Sequence, residues 1–356
     1  MKKTSLTFLK SYLDNASPTG FESSGQKLWL DYIKNDIDEY ITDPYGTAVG
    51  VINPDKKYKV VIEAHADEIS WFVSYITKEG YIYVQRNGGS DHQIAPSKRV
   101  NIHTEKGPVR GVFGWPAIHV RNRAKEETPS MKNIHIDVGA SSDTEVAEMG
   151  IHVGSVITFD EEMEVMNDRF VCGRALDNRI GGFMIAEVVK KLKANKKELP
   201  FCLYVVNAVQ EEIGLRGAEM IAQRLKPDVA IVTDVCHDTQ SPMYNKIESG
   251  DNACGKGPVL TYGPAVHNTL LNKIISVADK KKIPFQRLAV SRSTGTDTDA
   301  FAYSNEGVPS ALISLPLKYM HTTVEMVHMD DIQNVINLIY ESLLKIKAGE
   351  DFRYIK

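Results

Sequence analysis

Apolar positions change their period along the chain, and each change predicts a different kind of element. Leu6, Leu9 and Leu13 recur at helical spacing, which predicts an amphipathic helix over about 4–15, and after the turn Ser17-Pro-Thr-Gly20 a second helix follows over about 22–35. Uninterrupted apolar runs at 46–52 and 58–63 predict strands buried on both faces. From about 71 to 164 the pattern becomes short alternating segments such as Tyr81-Ile-Tyr-Val84, Val100-Asn-Ile-His103 and Val109-Arg-Gly-Val-Phe113, broken by Gly and Pro. That texture predicts a small β unit with little helix.

Beyond Asp177 the two types alternate again, with helices predicted over 179–192, 217–224, 269–280 and 330–347 and strands over 201–209, 228–232, 259–261, 286–290 and 310–314. Such alternation requires a mostly parallel sheet covered by helices on both faces. The expected fold is α/β: one large domain formed by 1–68 and 166–356, and a small barrel-like β domain, 69–165, inserted into it. No internal repeat interrupts this plan.

Composition narrows the class without changing the fold. At 356 residues, with 42% hydrophobic and 25% charged, the chain is an ordinary globular one, which excludes the disordered and fibrous classes. A formal net charge of only -4, with scattered basic residues, excludes a nucleic-acid stripe and a polybasic membrane anchor. Small molecules, peptides or further copies of the chain remain as partners. Met1-Lys2-Lys3 has the charge of a signal-peptide start, but Thr4, Ser5, Thr7 and Lys10 break the apolar stretch that should follow. No run approaches the roughly 18 apolar residues of a membrane span. Cys172, Cys202, Cys236 and Cys254 form no Cys-x-x-Cys pair, which suits free thiols in a reducing compartment, so a cytoplasmic location is expected.

Candidate chemistry clusters just past the predicted strands. The run Val205-Val-Asn-Ala-Val209 ends in Gln210-Glu211-Glu212, two adjacent acids whose repulsion and desolvation are costly unless a cation or a proton relieves them. A solvated loop is the simpler account of the pair. If one of the two binds a metal, the other stands ready to take the proton of a water molecule. His65 and Asp67 leave the end of another strand two residues apart, a spacing that suits a metal-binding imidazole oriented by a carboxylate, or else a satisfied buried histidine and a helix cap. Asp177 precedes a predicted helix and suits an N-cap as well as a two-oxygen bridge between metals. Asp234 and His321 follow further strands, where a turn acid and a loop histidine are equally at home. One rule unites the set. In open α/β sheets ligands bind beyond the carboxyl ends of the strands, and two His with three or four carboxylates there fit two ions sharing a bridging Asp, with Zn, Co or Mn favoured over Mg.

A decoy lies in Gly250-Asp-Asn-Ala-Cys-Gly255-Lys256-Gly257. Its spacing is that of a phosphate-binding loop, but Gly257 stands where a Mg²⁺-binding hydroxyl is needed and no apolar strand precedes it, so no nucleotide site is expected.

The ordered series Ser17-Pro-Thr-Gly-Phe-Glu22, His65-Ala-Asp-Glu-Ile69, Asp137-Val-Gly-Ala-Ser-Ser142, Gly173-Arg-Ala-Leu-Asp-Asn-Arg179, Glu211-Glu-Ile-Gly-Leu-Arg-Gly-Ala218, Asp234 and His321-Thr-Thr-Val-Glu325 resembles the M42 family of cocatalytic metallo-aminopeptidases nearly end to end. This group includes glutamyl and deblocking aminopeptidases that assemble as tetrahedral particles. The resemblance implies a zinc-peptidase-like αβα sandwich and two divalent ions (Zn, Co or Mn), with His65 and Asp234 on one, Glu212 and His321 on the other, and Asp177 bridging. It implies Glu211 as general base, Asp67 as the orienter of His65, 69–165 as a β dimerisation domain, and dimers assembling to a dodecamer. Departures fall at Ala66, Ser70 and Cys236, in Gly111-Val-Phe-Gly-Trp115-Pro-Ala-Ile-His119, and in Thr294-Gly-Thr-Asp-Thr-Asp299, none of which removes a ligand.

The expected reaction is hydrolysis of the first peptide bond of short peptides, with no nucleic acid or membrane involved. A metal-dependent amidohydrolase acting on N-acyl amino acids keeps the same chemistry. A glycan hydrolase using Glu211 and Asp234 as its acid and base pair leaves His65 and His321 without a role. A non-catalytic protein on a hydrolase scaffold leaves the whole ligand set without one.

Overall fold

The computed structural model describes residues 2–122 and 124–355; Met1, Arg123 and Lys356, and with them the first residue of the charged start, lie outside the described residues. An 11-stranded sheet has four parallel strands at its centre, in the order Cys202–Ala208, Lys59–His65, Val229–His237, Ser310–Lys318. The Cys202–Ala208 and Lys59–His65 segments are almost wholly buried because helices cover both faces. Antiparallel strands extend the centre at both edges: Ala48–Ile52 with Glu39–Thr42 on one side, and Glu325–His328, Phe170–Gly173 and Glu164–Met166 on the other. The short edge strands 39–42, 164–166, 170–173 and 325–328 escape the sequence reading. Each is three or four residues long, too brief for a period to show.

The helix Leu176–Ala194 crosses the middle of this sheet and is buried along most of its length, with Phe183, Met184 and Val188 in the core. Helices Lys3–Asp14 and Ser23–Ile33 pack beside it, Tyr12 and Trp29 being fully buried. The predicted strands at 228–232 and 310–314 both run further than their apolar cores, to His237 and Lys318, because pairing between them continues through Asp234↔Ser314 to His237↔Leu317. Polar residues therefore stand inside the sheet at the end where the site forms.

Leaving His65, the chain enters a closed antiparallel barrel of six strands, Ser70–Ile76, Ile82–Asn87, His135–Asp137, Gly107–Gly114, Arg99–Thr104 and Val156–Phe159. Trp71, Val73, Ile82, Phe113, Ile136 and Ile157 fill it, a core separate from that of the large sheet. Closure leaves no edge exposed. Among the described residues no helix is long and apolar enough to cross a membrane.

Candidate metal centre

Register alone gathers the acids and histidines. Ala208 pairs with His65 in the parallel ladder, so the turn Glu211–Ile213 that follows Ala208 emerges just beyond His65. Val232 pairs with Glu63, so Asp234 stands level with His65 on the other side. His321 follows Ser310–Lys318 past the same end of the sheet, and Asp177 enters from the edge strand Phe170–Gly173, whose Gly173 pairs with Glu325. Asp177 keeps extended backbone angles just before the regular helix begins, where a cap would stand, and its side-chain oxygens turn to the histidines.

All seven residues picked from the sequence meet here. Asp177 turns one oxygen to each histidine, Oδ1 standing 3.2 Å from His65 Nε2 and Oδ2 3.4 Å from His321 Nε2. Asp234 Oδ1 lies 3.9 Å and Glu211 Oε2 3.8 Å from His65 Nε2, while Glu212 Oε2 lies 3.5 Å from His321 Nε2. Two groupings, His65 with Asp177 and Glu212, and His65 with Glu211 and Asp234, bring their donor atoms within 4.8 Å of one another. Asp67 Oδ1 stands 3.3 Å from His65 Nδ1, on the opposite side of the ring. The same carboxylate accepts from the Glu211 and Glu212 N–H groups at 3.0 and 3.2 Å and from Thr19 Oγ1 at 2.9 Å. Asp67 thus ties the imidazole to the turn that carries both glutamates.

Burial and mutual proximity shift the ionisation of these groups. Burial, reinforced by Asp234, Asp297 and Glu212, overrides the attraction of His65 and pushes the Glu211 carboxyl up to about 10. Burial likewise pushes Asp234 up to about 7. At Asp177 burial acts upward too, but the two imidazoles outweigh it and hold the carboxyl below the usual range. At His321 burial works against charge, yet Asp177 and Glu212 outweigh it and raise the imidazole to about 11. A buried set of carboxylates is neutralised by protons or by divalent cations. A donor set of two imidazoles and four carboxylates, one carboxylate facing both rings, fits two closely spaced ions.

Other residues complete the centre, and sequence reasoning gave them no role. Glu325, quoted only as part of a motif, is buried and accepts from the Asp177 and His321 N–H groups at 3.0 and 2.7 Å, fixing the main chain of both. Thr19 and Glu22 belong to the Ser17–Glu22 turn; Glu22 Oε1 accepts from the N–H of Gly20 at 2.8 Å and of Gln210 at 3.2 Å, holding the bend before Glu211. Glu68, paired with buried Arg174, accepts from the Ser17 N–H. Behind His65, Glu63 and Asp297 are fully buried and no oxygen of either meets a donor, so they bond only by sharing a proton. Burial raises both: Glu63 to about 8, against the lowering effect of its hydrogen bond to Asp297, and Asp297 further through the charge of Glu63. An acid inside the run Val60-Val-Ile-Glu63 was the available signal for that pair.

The site opens into a cleft of about 690 Å³ lined also by Leu215, Cys236, His237, Asn252, Thr294 and Asp299. A larger cavity of about 920 Å³, by Tyr58, Asp228 and Pro309, lies at the opposite ends of the strands, away from the converging side chains. Cys236 is a buried thiol whose pKa burial raises, so it remains protonated beside the centre. His119 is exposed on the barrel's connection between Gly107–Gly114 and His135–Asp137. In the Gly250–Gly257 loop the Cys254 N–H donates to Asp238, and those of Gly255 and Gly257 donate to Asp331. Two internal carboxylates, Asp238 and Asp331, thus occupy donors that a phosphate loop keeps free.

Known proteins resemble the chain over nearly its whole length. The model of one family, described as M42 glutamyl aminopeptidase, matches residues 46–338. The lysyl aminopeptidase of Pyrococcus furiosus is 32% identical over 95% of this chain and 96% of its own length. A TET aminopeptidase from a marine sediment Thaumarchaeota archaeon superposes with a TM-score of 0.92 at 30% identity, covering 97% of this chain and 98% of that one. The TET1 peptidase of Pyrococcus horikoshii, described as assembling into a tetrahedron or a large octahedral shell, gives a TM-score of 0.85 at 27% identity, over 96% of this chain and 100% of that one.

Proposed function

Because the chain belongs to the M42 glutamyl aminopeptidase family, we propose that it is a metal-dependent aminopeptidase removing the first residue of short peptides at a centre for two divalent ions. The observation that carries this reading is Asp177, whose two oxygens face the two imidazoles. His65 and Asp234 would hold one ion, Glu212 and His321 the other, and Asp177 would span them. Zn, Co and Mn match a mixed imidazole and carboxylate set. When bound, such ions acidify water and polarise the scissile carbonyl.

The chain's own residues do the rest. Glu211 Oε2, 3.8 Å from His65 Nε2, takes the proton from the attacking water and returns it to the leaving amine. Asp67 holds His65 by Nδ1, so that Nε2 faces the centre. Glu325 fixes Asp177 and His321 through their N–H groups. Catalysis is assigned to 1–68 and 166–356 and dimerisation to the barrel, 69–165, which carries exposed Tyr75, Val112 and Val153. In solution the chain is expected as a homo-oligomer, with dimers assembling to a dodecamer the expected form. The family description and the Pyrococcus furiosus relative name different first residues, glutamyl and lysyl, so membership leaves specificity to the cleft.

Glu211→Gln tests the division of labour. Turnover of aminoacyl anilides is expected to fall by about a hundredfold or more, while metal content by elemental analysis stays at the parent's level. Normal turnover in that variant refutes the role of Glu211.

A further inference from the structure

The two imidazoles of the centre are held in unlike ways. His65 ends a central strand, pairs with Ala208 across the ladder and has a side chain only 2% exposed. His321 lies in the connection 319–324 between strands Ser310–Lys318 and Glu325–His328, and its side chain is 34% exposed. Its backbone, like that of Tyr319, is left-handed, with φ of 61° at both. A non-glycine residue keeps such a conformation only where its surroundings over-determine it. Whatever anchors this connection therefore decides where the second imidazole stands.

Part of the anchoring is local. The Glu325 carboxylate accepts from the His321 N–H, the Tyr319 carbonyl from the Thr322 hydroxyl at 2.6 Å, and the Thr322 hydroxyl from the Val324 N–H at 3.2 Å. Among the described residues, and apart from the contacts of the His321 ring, the one hydrogen bond that reaches 319–324 from outside the hairpin comes from the barrel. Lys98 Nζ donates to Thr323 Oγ1 at 2.6 Å, and Thr323 is buried two residues past His321. Lys98 is itself fixed just before strand Arg99–Thr104: its carbonyl accepts from the Phe113 N–H at 2.9 Å, and its ammonium pairs with Glu161 Oε1 at 3.1 Å. The other Glu161 oxygen is buried without a partner, which leaves Lys98 as the counter-charge of that carboxylate. The barrel also backs this half of the centre elsewhere, since Ile69 and Phe159 line a small cavity together with Glu212, His321 and Thr322.

We propose that Lys98 is a positioning residue of the metal centre: by anchoring Thr323 it keeps His321 facing Glu212 and Asp177, so that the barrel helps to set how tightly its own subunit holds the ion assigned to Glu212 and His321. The inference rests on the two-ion reading of the site, and it gives the inserted domain a task besides association. Groups that orient metal ligands from outside are worth about ten- to a hundredfold in affinity, and a residue acting through the neighbouring Thr323 belongs at the lower end.

The test is stepwise calorimetric titration of the full chain, stripped by chelation, with Co²⁺, using His321→Ala to mark the binding step that belongs to this half. Thr323→Val removes the acceptor and leaves the Lys98–Glu161 pair in place. In that variant the dissociation constant of the marked step should rise about tenfold while the other step changes by less than about twofold, and Thr323→Ser should restore the parent's value. Lys98→Met should weaken the same step. Either Thr323→Val or Lys98→Met leaving both steps unchanged, or weakening both alike, overturns the proposal, as does a Thr323→Ser variant no better than Thr323→Val. If these variants fail to fold, the unsubstituted protein decides by reciprocity: an ion that Lys98 supports must in turn protect Lys98, so its acetylation by acetic anhydride, followed by mass spectrometry, should slow about fivefold on Co²⁺ loading. An unchanged rate overturns the proposal. Absence of Co²⁺ binding in either step of the unsubstituted protein overturns the two-ion reading itself.

Discussion

At the residue scale, the centre depends on side chains that are small as much as on those that ligate. A Cβ added at Gly89 would overlap the His321 imidazole, and one at Gly88 would press on the Glu212 side chain. The Gly88-Gly89 pair, at the end of barrel strand Ile82–Asn87, is therefore the wall against which one half of the ligand set rests. Gly89→Ala should displace His321, lowering kcat about a hundredfold and releasing part of the bound metal, since a displacement near 1 Å is enough for a loss of that order. Unchanged metal stoichiometry together with unchanged kcat would remove Gly89 from the site. His65, Asp177, Glu211, Glu212, Asp234 and His321 were legible from their types and from their positions past strand ends. Gly89 was not, because a glycine shows in sequence only that something must be absent, and what it must avoid lies far along the chain.

At the element scale, the Ser17–Glu22 turn acts as a clamp. Ser17 N–H and Oγ bond to Glu68 and to the Ala66 carbonyl, Thr19 bonds to Asp67, and Glu22 receives the Gln210 N–H. One turn thus sets both the His65–Glu68 segment and the bend into Glu211. Burial, then the charge of Asp67, pushes the Glu22 carboxyl from 4.5 up to about 7. With the folded pKa above the unfolded one, the contribution of Glu22 to stability is complete below the unfolded value and lost as pH rises through the folded one. Glu22→Gln retains an oxygen for the Gly20 and Gln210 N–H groups and cannot ionise. Its melting temperature should match the parent's near the unfolded pKa and exceed it at pH about 8, by no more than about 3 kcal/mol in stability. A parent-to-variant difference that stays constant across that window refutes the assignment. The helices of ten residues or more and the central strands were readable to within a few residues, the helices because the 3.6-residue period repeats and the strands because their apolar runs are bounded by polar turns. The ends of the strands at Asp234 and Lys318 were misjudged because ladder pairing continues where the apolar pattern stops.

At the scale of the whole molecule, the acids of the centre weld together parts of the chain that are distant in sequence, and bound ions should stabilise the fold as ligands of the native state. Chelation should abolish anilide turnover and lower the melting temperature, and re-addition of Zn, Co or Mn should restore both. Turnover that survives exhaustive chelation argues instead for a glycan-type acid and base pair. The α/β class, the inserted β segment and the residue types of the centre follow from the sequence by itself, because periodicity, burial preference and ligand chemistry are local properties of short stretches. Tertiary structure alone decided which Asp177 oxygen faces which imidazole and that Glu325 and Thr19 brace the ligands. Those depend on register between strands 80 residues or more apart (Ala230 with Ser310 the nearest in sequence), which no local pattern encodes.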